Sequence, residues 1–178
     1  MEINTTVSVA DPRKPGELGN LILEDAKFFG RPNFSGVEDR FKDSRRKFTV
    51  VIPMDVADQL RELGWNVKTL LATDEEKAQG REDISILKVM VDEPKDNGDG
   101  SQIFIVMNGV TEQLSAQNLP VMDRARIESM DMEIRAWMYN KEEVEKEGAI
   151  PQFSARLDKV YANIQMSRLD MKYAGLTQ

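Results

Sequence analysis

Short runs of alternating apolar residues, a single clear helix and long charged loops predict a mainly β chain folded as a small antiparallel barrel or sandwich. Three observations carry this. Phe48, Val50 and Ile52 alternate with Lys47, Thr49 and Val51, the period of a half-buried strand. Asn108-Gly109, between two β-rich runs, is the residue pair that a type I′ hairpin turn demands. Nowhere do strands alternate with long helices, so a doubly wound sheet is not expected.

Taken in order, residues 1–19 hold two prolines and two glycines without a sustained pattern and are expected to form a flexible N-terminal arm. Asn20 to Phe29 has the apolar density of a first strand, with Ile22, Ala26 and Phe28 on one face. A basic loop leads into the second strand, Arg46 to Ile52, which Pro53 ends. Asp55 can cap a helix in which Val56, Leu60 and Leu63 share a face and Gly64 supplies a left-handed stop. So short a helix is marginal alone and must pack on the sheet. Trp65 to Leu71 reads as an extended piece and Thr73 to Asp83 as a solvated acidic connector.

Ile84 to Val91 is a strand with Leu87, Val89 and Val91 on one side and Ile86, Lys88 and Met90 on the other. The acidic, glycine-rich Glu93–Ser101 lacks the ligand spacing and closing glutamate of an EF-hand, so a plain hairpin turn is expected. Gln102 to Met107 and Val110 to Leu114 form a hairpin around Asn108-Gly109. Pro120 blocks a long helix in the connector Ser115 to Arg126. In Ser129 to Tyr139 the alternation is nearly perfect: Met130, Met132, Ile134, Ala136 and Met138 against Asp131, Glu133, Arg135, Trp137 and Tyr139. A charged loop, Asn140 to Gln152, precedes the last strand, Ala155 to Met166, with Val160, Ala162, Ile164 and Met166 inward and Leu157, Lys159 and Tyr161 outward. The domain thus runs from 20 to 166, and 167–178 is a C-terminal tail.

Composition narrows the function. The chain has 178 residues, 40% of them apolar, enough for one domain with a core. It contains neither cysteine nor histidine, which removes disulfides, thiolate metal sites and triads built on His, with HExxH chemistry besides. No apolar run approaches a membrane span and no signal peptide is visible, so a cytoplasmic address and no membrane partner are expected. A net charge of −7 argues against coating nucleic acid over the whole surface; any such site is a local patch.

One stretch reverses that charge. Between Asp25 and Val50 stand seven cations (Lys27, Arg31, Arg40, Lys42, Arg45, Arg46 and Lys47) against four acids. Phe34 and Phe41 lie among them in a segment rich in Pro, Asn and Gly. Cations that track phosphates and rings on which bases stack are the parts of a single-strand nucleic-acid groove. The plainer reading folds those phenylalanines back into the core. The late strand adds a second signal: with its methionine face inward, Arg135, Trp137 and Tyr139 stand in a row on the open side. The inverted strand would bury them. The fold that unites both signals is an OB-like antiparallel barrel with one short helix and long loops, which binds single strands across one face with help from the loop between its first two strands. The open-face candidates are Lys88, Arg135, Trp137, Tyr139, Lys159 and Tyr161.

The motifs Asn33-Phe34-Ser35-Gly36, Phe41, Arg45-Arg46-Lys47-Phe48 and Gly64-Trp65-Asn66-Val67-Lys68, in this order, resemble the OB-fold single-stranded-DNA-binding proteins encoded by tailed bacteriophages. The resemblance continues through Leu87-Lys88-Val89, Asn108-Gly109, Ile134-Arg135 with Trp137, and Ala155 to Tyr161. It implies that the Phe34 loop and the strand of Arg135 and Trp137 touch DNA. It further implies a place in phage replication or recombination and, with them, partner proteins. Pro32 stands where the family pattern has a second cation, the loop before Arg45 is shorter, and the helix follows the second strand rather than the third.

Sequence-tolerant single-stranded DNA binding, by a monomer or a dimer and with no cofactor, is therefore the leading reading. A β-domain adaptor that docks another protein through exposed aromatics is the alternative. An enzyme has least support: Asp131 and Glu133 share a strand face with Arg135, an ordinary cross-strand charge pattern, and no phosphate-binding glycine motif is present.

Overall fold

The computed structural model of the chain describes residues 4–12 and 18–165 together with Leu169 and Lys172. Its strands are β1 (Thr6–Val9), β2 (Leu21–Ala26), β3 (Lys47–Ile52), β4 (Val67–Leu70), β5 (Ile84–Met90), β6 (Gln102–Met107), β7 (Val110–Leu114), β8 (Arg126–Met138) and β9 (Phe153–Gln165). Short helices α1 (Met54–Leu63), α2 (Asp74–Ala78), α3 (Pro120–Arg124) and α4 (Lys141–Glu147) lie between them. The fold is mainly β, as the alternating sequence predicts.

A single curled sheet runs in the order β1-β2-β8-β9-β5-β3. Its far edge returns to its beginning, because Phe28, just past β2, bridges Val50 of β3. Two backbone bonds complete this seam, from Phe29 N to Thr49 O at 2.8 Å and from Val51 N to Lys27 O at 3.1 Å. The result is an OB-like barrel. A second tie lies beside the seam, where Asn33 and Lys47 exchange N–H to carbonyl bonds of 2.8 and 2.9 Å. The basic segment is therefore an excursion whose two ends are pinned together.

Alternate strand residues fill the barrel: Leu21, Leu23, Phe48, Val50, Ile52, Leu87, Val89, Ile103, Met130, Met132, Ile134 and Leu157 are all buried. α1 covers one end by burying Ala57 and Leu60, and Gly64 ends it at φ 110. A Cβ at Gly64 would stand 2.8 Å from the ring of Phe153, so the position needs glycine for space as well as for backbone. Asn108 and Gly109, at φ 50 and 77, make the predicted hairpin turn of β6 and β7.

Several expectations need correction. Thr6–Val9, read as part of a loose arm, pair antiparallel with β2. In β2 it is Leu21, Leu23 and Ala26 that face inward, because Asp25 at φ 55 carries a bulge that shifts the register. Asp131 holds the bulge by accepting the Asp25 N–H at 3.0 Å. α1 starts at Pro53 without a side-chain cap, Asp55 lying in its first turn. The connectors contain three further short helices. Thr73 and Glu76 form a reciprocal capping box for α2, and Pro120, read as a helix blocker, instead opens α3, where a missing N–H costs nothing. Glu93 to Ser101 is no hairpin connection, since β5 and β6 do not pair with each other; both lie parallel to β9. A register shift between Glu133 and Ile134 in the pairing of β8 with β9 puts Leu157 inside rather than outside. The inward placement expected for Met166 falls outside the described residues, as does most of the tail. No helix among the described residues is long and apolar enough to cross a membrane.

Candidate nucleic-acid interface

Cross-strand partners in a sheet share a face, so the register alone assembles the site. Arg135 of β8 lies opposite Arg156 of β9. Arg156 lies beside Met90 of β5, and Met90 opposite Lys47 of β3. One pleat further along, Trp137 faces Ser154 and Lys88 faces Thr49. Four strands thus present two outward rows, and the distance from β3 to β8 is three strand spacings, roughly 14 Å at about 4.8 Å each. The methionine face of β8 is the core, as expected, and Trp137 and Tyr139 remain 51% and 47% exposed.

Each end of this face holds one carboxylate between two cations. Asp43 accepts from Arg45 Nε and Nη2 at 3.0 and 2.9 Å and from the Lys47 ammonium. These bonds, Arg45 first, hold its carboxyl far below the usual carboxylate range. At the other end Asp92 accepts from Arg156 Nη1 at 2.9 Å and Arg135 Nη2 at 3.0 Å. Buried Ser101 fixes the Asp92 backbone: its hydroxyl accepts the Asp92 N–H at 2.9 Å and donates to the Leu157 carbonyl at 2.6 Å. The Arg156 guanidinium also lies over the Trp137 ring, 5.2 Å from its centroid. Between the two ends, burial and the neighbouring Lys47 and Arg45 depress the Lys88 pKa from its ordinary value. A crowded ammonium of this kind gains from a bound anion.

Beside Lys88 and Lys47 the face sinks into an open groove of about 960 Å³, with Arg31, Asp123 and Arg124 on its walls. Asp123 of α3 holds the near wall by accepting the backbone N–H groups of Phe34 (2.7 Å) and Ser35 (3.1 Å) and the Ser35 hydroxyl (2.5 Å).

The structure distributes the predicted residues over and around this face. Arg31, Arg45, Lys47, Lys88, Arg135, Trp137 and, at the rim, Tyr139 lie on or beside the double row. Arg46 borders it, donating through Nε to the Phe34 carbonyl at 3.0 Å. Arg40 and Phe41 occupy the tip of the basic excursion, the guanidinium 4.7 Å from the ring centroid and the ring 75% exposed. Lys27 is exposed at the seam.

The expectation for Phe34 needs correction, and Lys159 and Tyr161 lie away from the cationic rows. Phe34 is completely buried, stacked on Phe48 at 5.4 Å and 9°, so its ring cannot meet a base. The plainer reading holds for Phe34 and fails for Phe41. Lys159 and Tyr161 stand apart from the cationic rows, separated from Arg135 by Glu133 and Asp158. Tyr161 stacks on Phe104 at 4.6 Å and lies opposite Asp131, an acidic setting that repels phosphate.

Sequence reasoning missed Arg156, Asp43, Asp92 and Asp123. Arg156 was legible in the local alternation of Phe153, Ala155 and Leu157, which the bulge then inverts. Asp92 and Asp123 carry no signal in sequence, because their partners lie 43 to 89 residues away, whereas Asp43 bonds Arg45 and Lys47 close by in the chain.

The chain matches, over residues 12–178, a family model described as "Putative phage ssDNA-binding domain". Among solved structures it is similar to the single-stranded DNA-binding protein from bacteriophage Enc34: in its C-terminally truncated form at 11% identity, covering 90% of this chain and 95% of that one with a TM-score of 0.43. The form described without that truncation aligns at 10% identity over 96% and 99% of the two chains, also at 0.43. Among curated proteins none matches in sequence.

Proposed function

The chain belongs to the phage ssDNA-binding domain family, and from that premise we propose that it binds single-stranded DNA, with little regard to sequence, across the outer face of β3, β5, β9 and β8. The observation that carries this reading is the register Lys47, Met90, Arg156, Arg135, which joins the basic excursion to the Trp137 strand on one surface. Cations along the rows take phosphates, while Trp137, and Phe41 from the loop tip, offer ring faces to bases. The protein acts in the cytoplasm of the bacterial host, without catalysis, in phage DNA replication or recombination.

Titration with fluorescent oligo-dT over a range of salt tests it. With about three or four phosphates engaged, log affinity falls against log salt with a slope of roughly −2 to −3, at about −0.7 per phosphate on single strands. Absence of binding at low salt rejects the reading. Parallel titrations with duplex DNA and RNA define which strand chemistry is preferred. The adaptor reading rests on a different surface, the acidic one around Asp131, Glu133 and Tyr161, and predicts salt-insensitive capture of a protein partner with no affinity for oligonucleotides.

A further inference from the structure

The two carboxylates at the ends of the cationic face, Asp43 and Asp92, have similar environments on unrelated elements, Asp43 accepting the Arg45 backbone N–H at 3.0 Å besides. Each accepts from two cations, Asp43 from Arg45 and Lys47, and Asp92 from Arg135 and Arg156. Each is only partly covered, with 18% and 30% of its side chain open to solvent. The outer cation of each pair is largely in solvent, Arg135 53% and Arg45 63% exposed, while Arg156 and Lys47 are more covered, at 32% and 24%. Surface pairs of this kind add little to stability. What they do is hold flexible cationic side chains in one arrangement around an oxyanion.

We propose that Asp43 and Asp92 are built-in phosphate surrogates, occupying two phosphate seats of the interface in the free protein and yielding them when single-stranded DNA arrives. The proposal rests on the reading of this face as the DNA interface. A dianionic clamp is not needed: a carboxylate and a phosphodiester each carry one negative charge and offer two oxygens to a guanidinium fork. Exchange therefore leaves the charge at each seat unchanged. Asp92 can leave by rotating its side chain alone, since its backbone stays tied through Ser101 to Leu157. Asp43 sits in the loop excursion, where Asp39 accepts its N–H at 3.0 Å and holds the turn.

The consequence is measurable in the affinity. The ions released on binding are the DNA's own, so a phosphate seated on these cations contributes to the salt slope in wild type as well, and the carboxylate acts as a competitor that lowers affinity. Asp92→Asn and Asp43→Asn each remove one competitor without removing a cation. Each variant is expected to bind oligo-dT roughly fivefold tighter at 0.1 M salt, the upper end of what a competing surface carboxylate contributes, at a salt slope close to that of wild type. The double variant should show both gains together. A variant that binds no tighter than wild type overturns the proposal at that seat and makes the acid a positioning residue instead. Thermal melts monitored by circular dichroism establish that each variant is folded. Wild-type protein that fails to bind oligo-dT overturns the DNA reading itself. Wild type that binds, and is weakened by Trp137→Ala while the two asparagine variants stay unimproved, sinks only the surrogate proposal.

Discussion

The guanidinium of Arg156 lies over the indole of Trp137, 5.2 Å from the ring centroid. The stack covers one face of the ring and leaves the residue half exposed, while Asp92 and the neighbouring strand keep the cation in place. A base meeting the open face completes a sandwich of cation, indole and base. Trp137→Ala should weaken binding to oligo-dT and to mixed sequences alike by roughly 5- to 150-fold, the equivalent of about 1–3 kcal/mol per stacked base. Anisotropy titrations give the answer, and an unchanged affinity removes the indole from the interface.

The two phenylalanines of the basic excursion should separate stability from binding. Phe34→Ala empties a fully buried site packed against Phe28 and Phe48 and should cost about 3–5 kcal/mol in urea denaturation. Phe41→Ala removes a ring that is mostly in solvent, so the denaturation midpoint should hold while DNA affinity drops severalfold. The reverse assignment would contradict the placement of both rings.

Lys88 makes binding sensitive to alkaline pH. Its pKa in the free protein lies below the ordinary 10.5, chiefly through burial and then through Lys47 and Arg45. A bound phosphate favours the ammonium, so complex formation takes up a proton as pH rises through the free-state pKa, and affinity falls over that range. Lys88→Met should flatten this alkaline limb and, at neutral pH and 0.1 M salt, weaken binding by roughly fivefold, one phosphate's share.

Asp158 carries an opposite lesson. Burial, with Glu133 beside it, raises its pKa above the ordinary 3.8, and Arg135 and Lys159 offset this only in part. A carboxyl whose folded pKa is raised binds its proton more readily in the folded state, so stability declines as pH climbs through that window. Asp158→Asn should therefore melt at a slightly higher temperature than wild type at pH 7, with the advantage vanishing below pH 3.8. A variant less stable than wild type at neutral pH would refute this account.

Much of the barrel is written in local alternation, and where alternation is unbroken, as in β8, both faces could be assigned. Bulges are what conceal the rest. One extra residue near Asp25 and another near Asp158 flip the faces of β2 and of the first half of β9, so Ile22 and Leu157 were placed on the wrong sides while Arg156 went unnoticed. Phe34 was ambiguous for a different reason: nothing around Asn33 reveals that Phe28 and Phe48, from flanking strands, converge on its ring. The site's cations were legible because charge density needs no partner to be recognised. Its organising acids were not, because Asp92 meets Arg135 and Arg156 only after 43 and 64 residues of intervening chain have folded.

Because Asn33 and Lys47 are joined by reciprocal backbone bonds and Phe34 is buried beside them, the residues beyond Ser35 and before Arg46 extend as an appendage clipped at its base. Residues added to or removed from its tip, around Arg40 and Phe41, would change how far the appendage extends over a bound strand without disturbing the ladder that begins at Lys47. Even doubling its length costs only about 0.6 kcal/mol of closure entropy. The reach of this appendage can therefore change while the barrel beneath it stays the same.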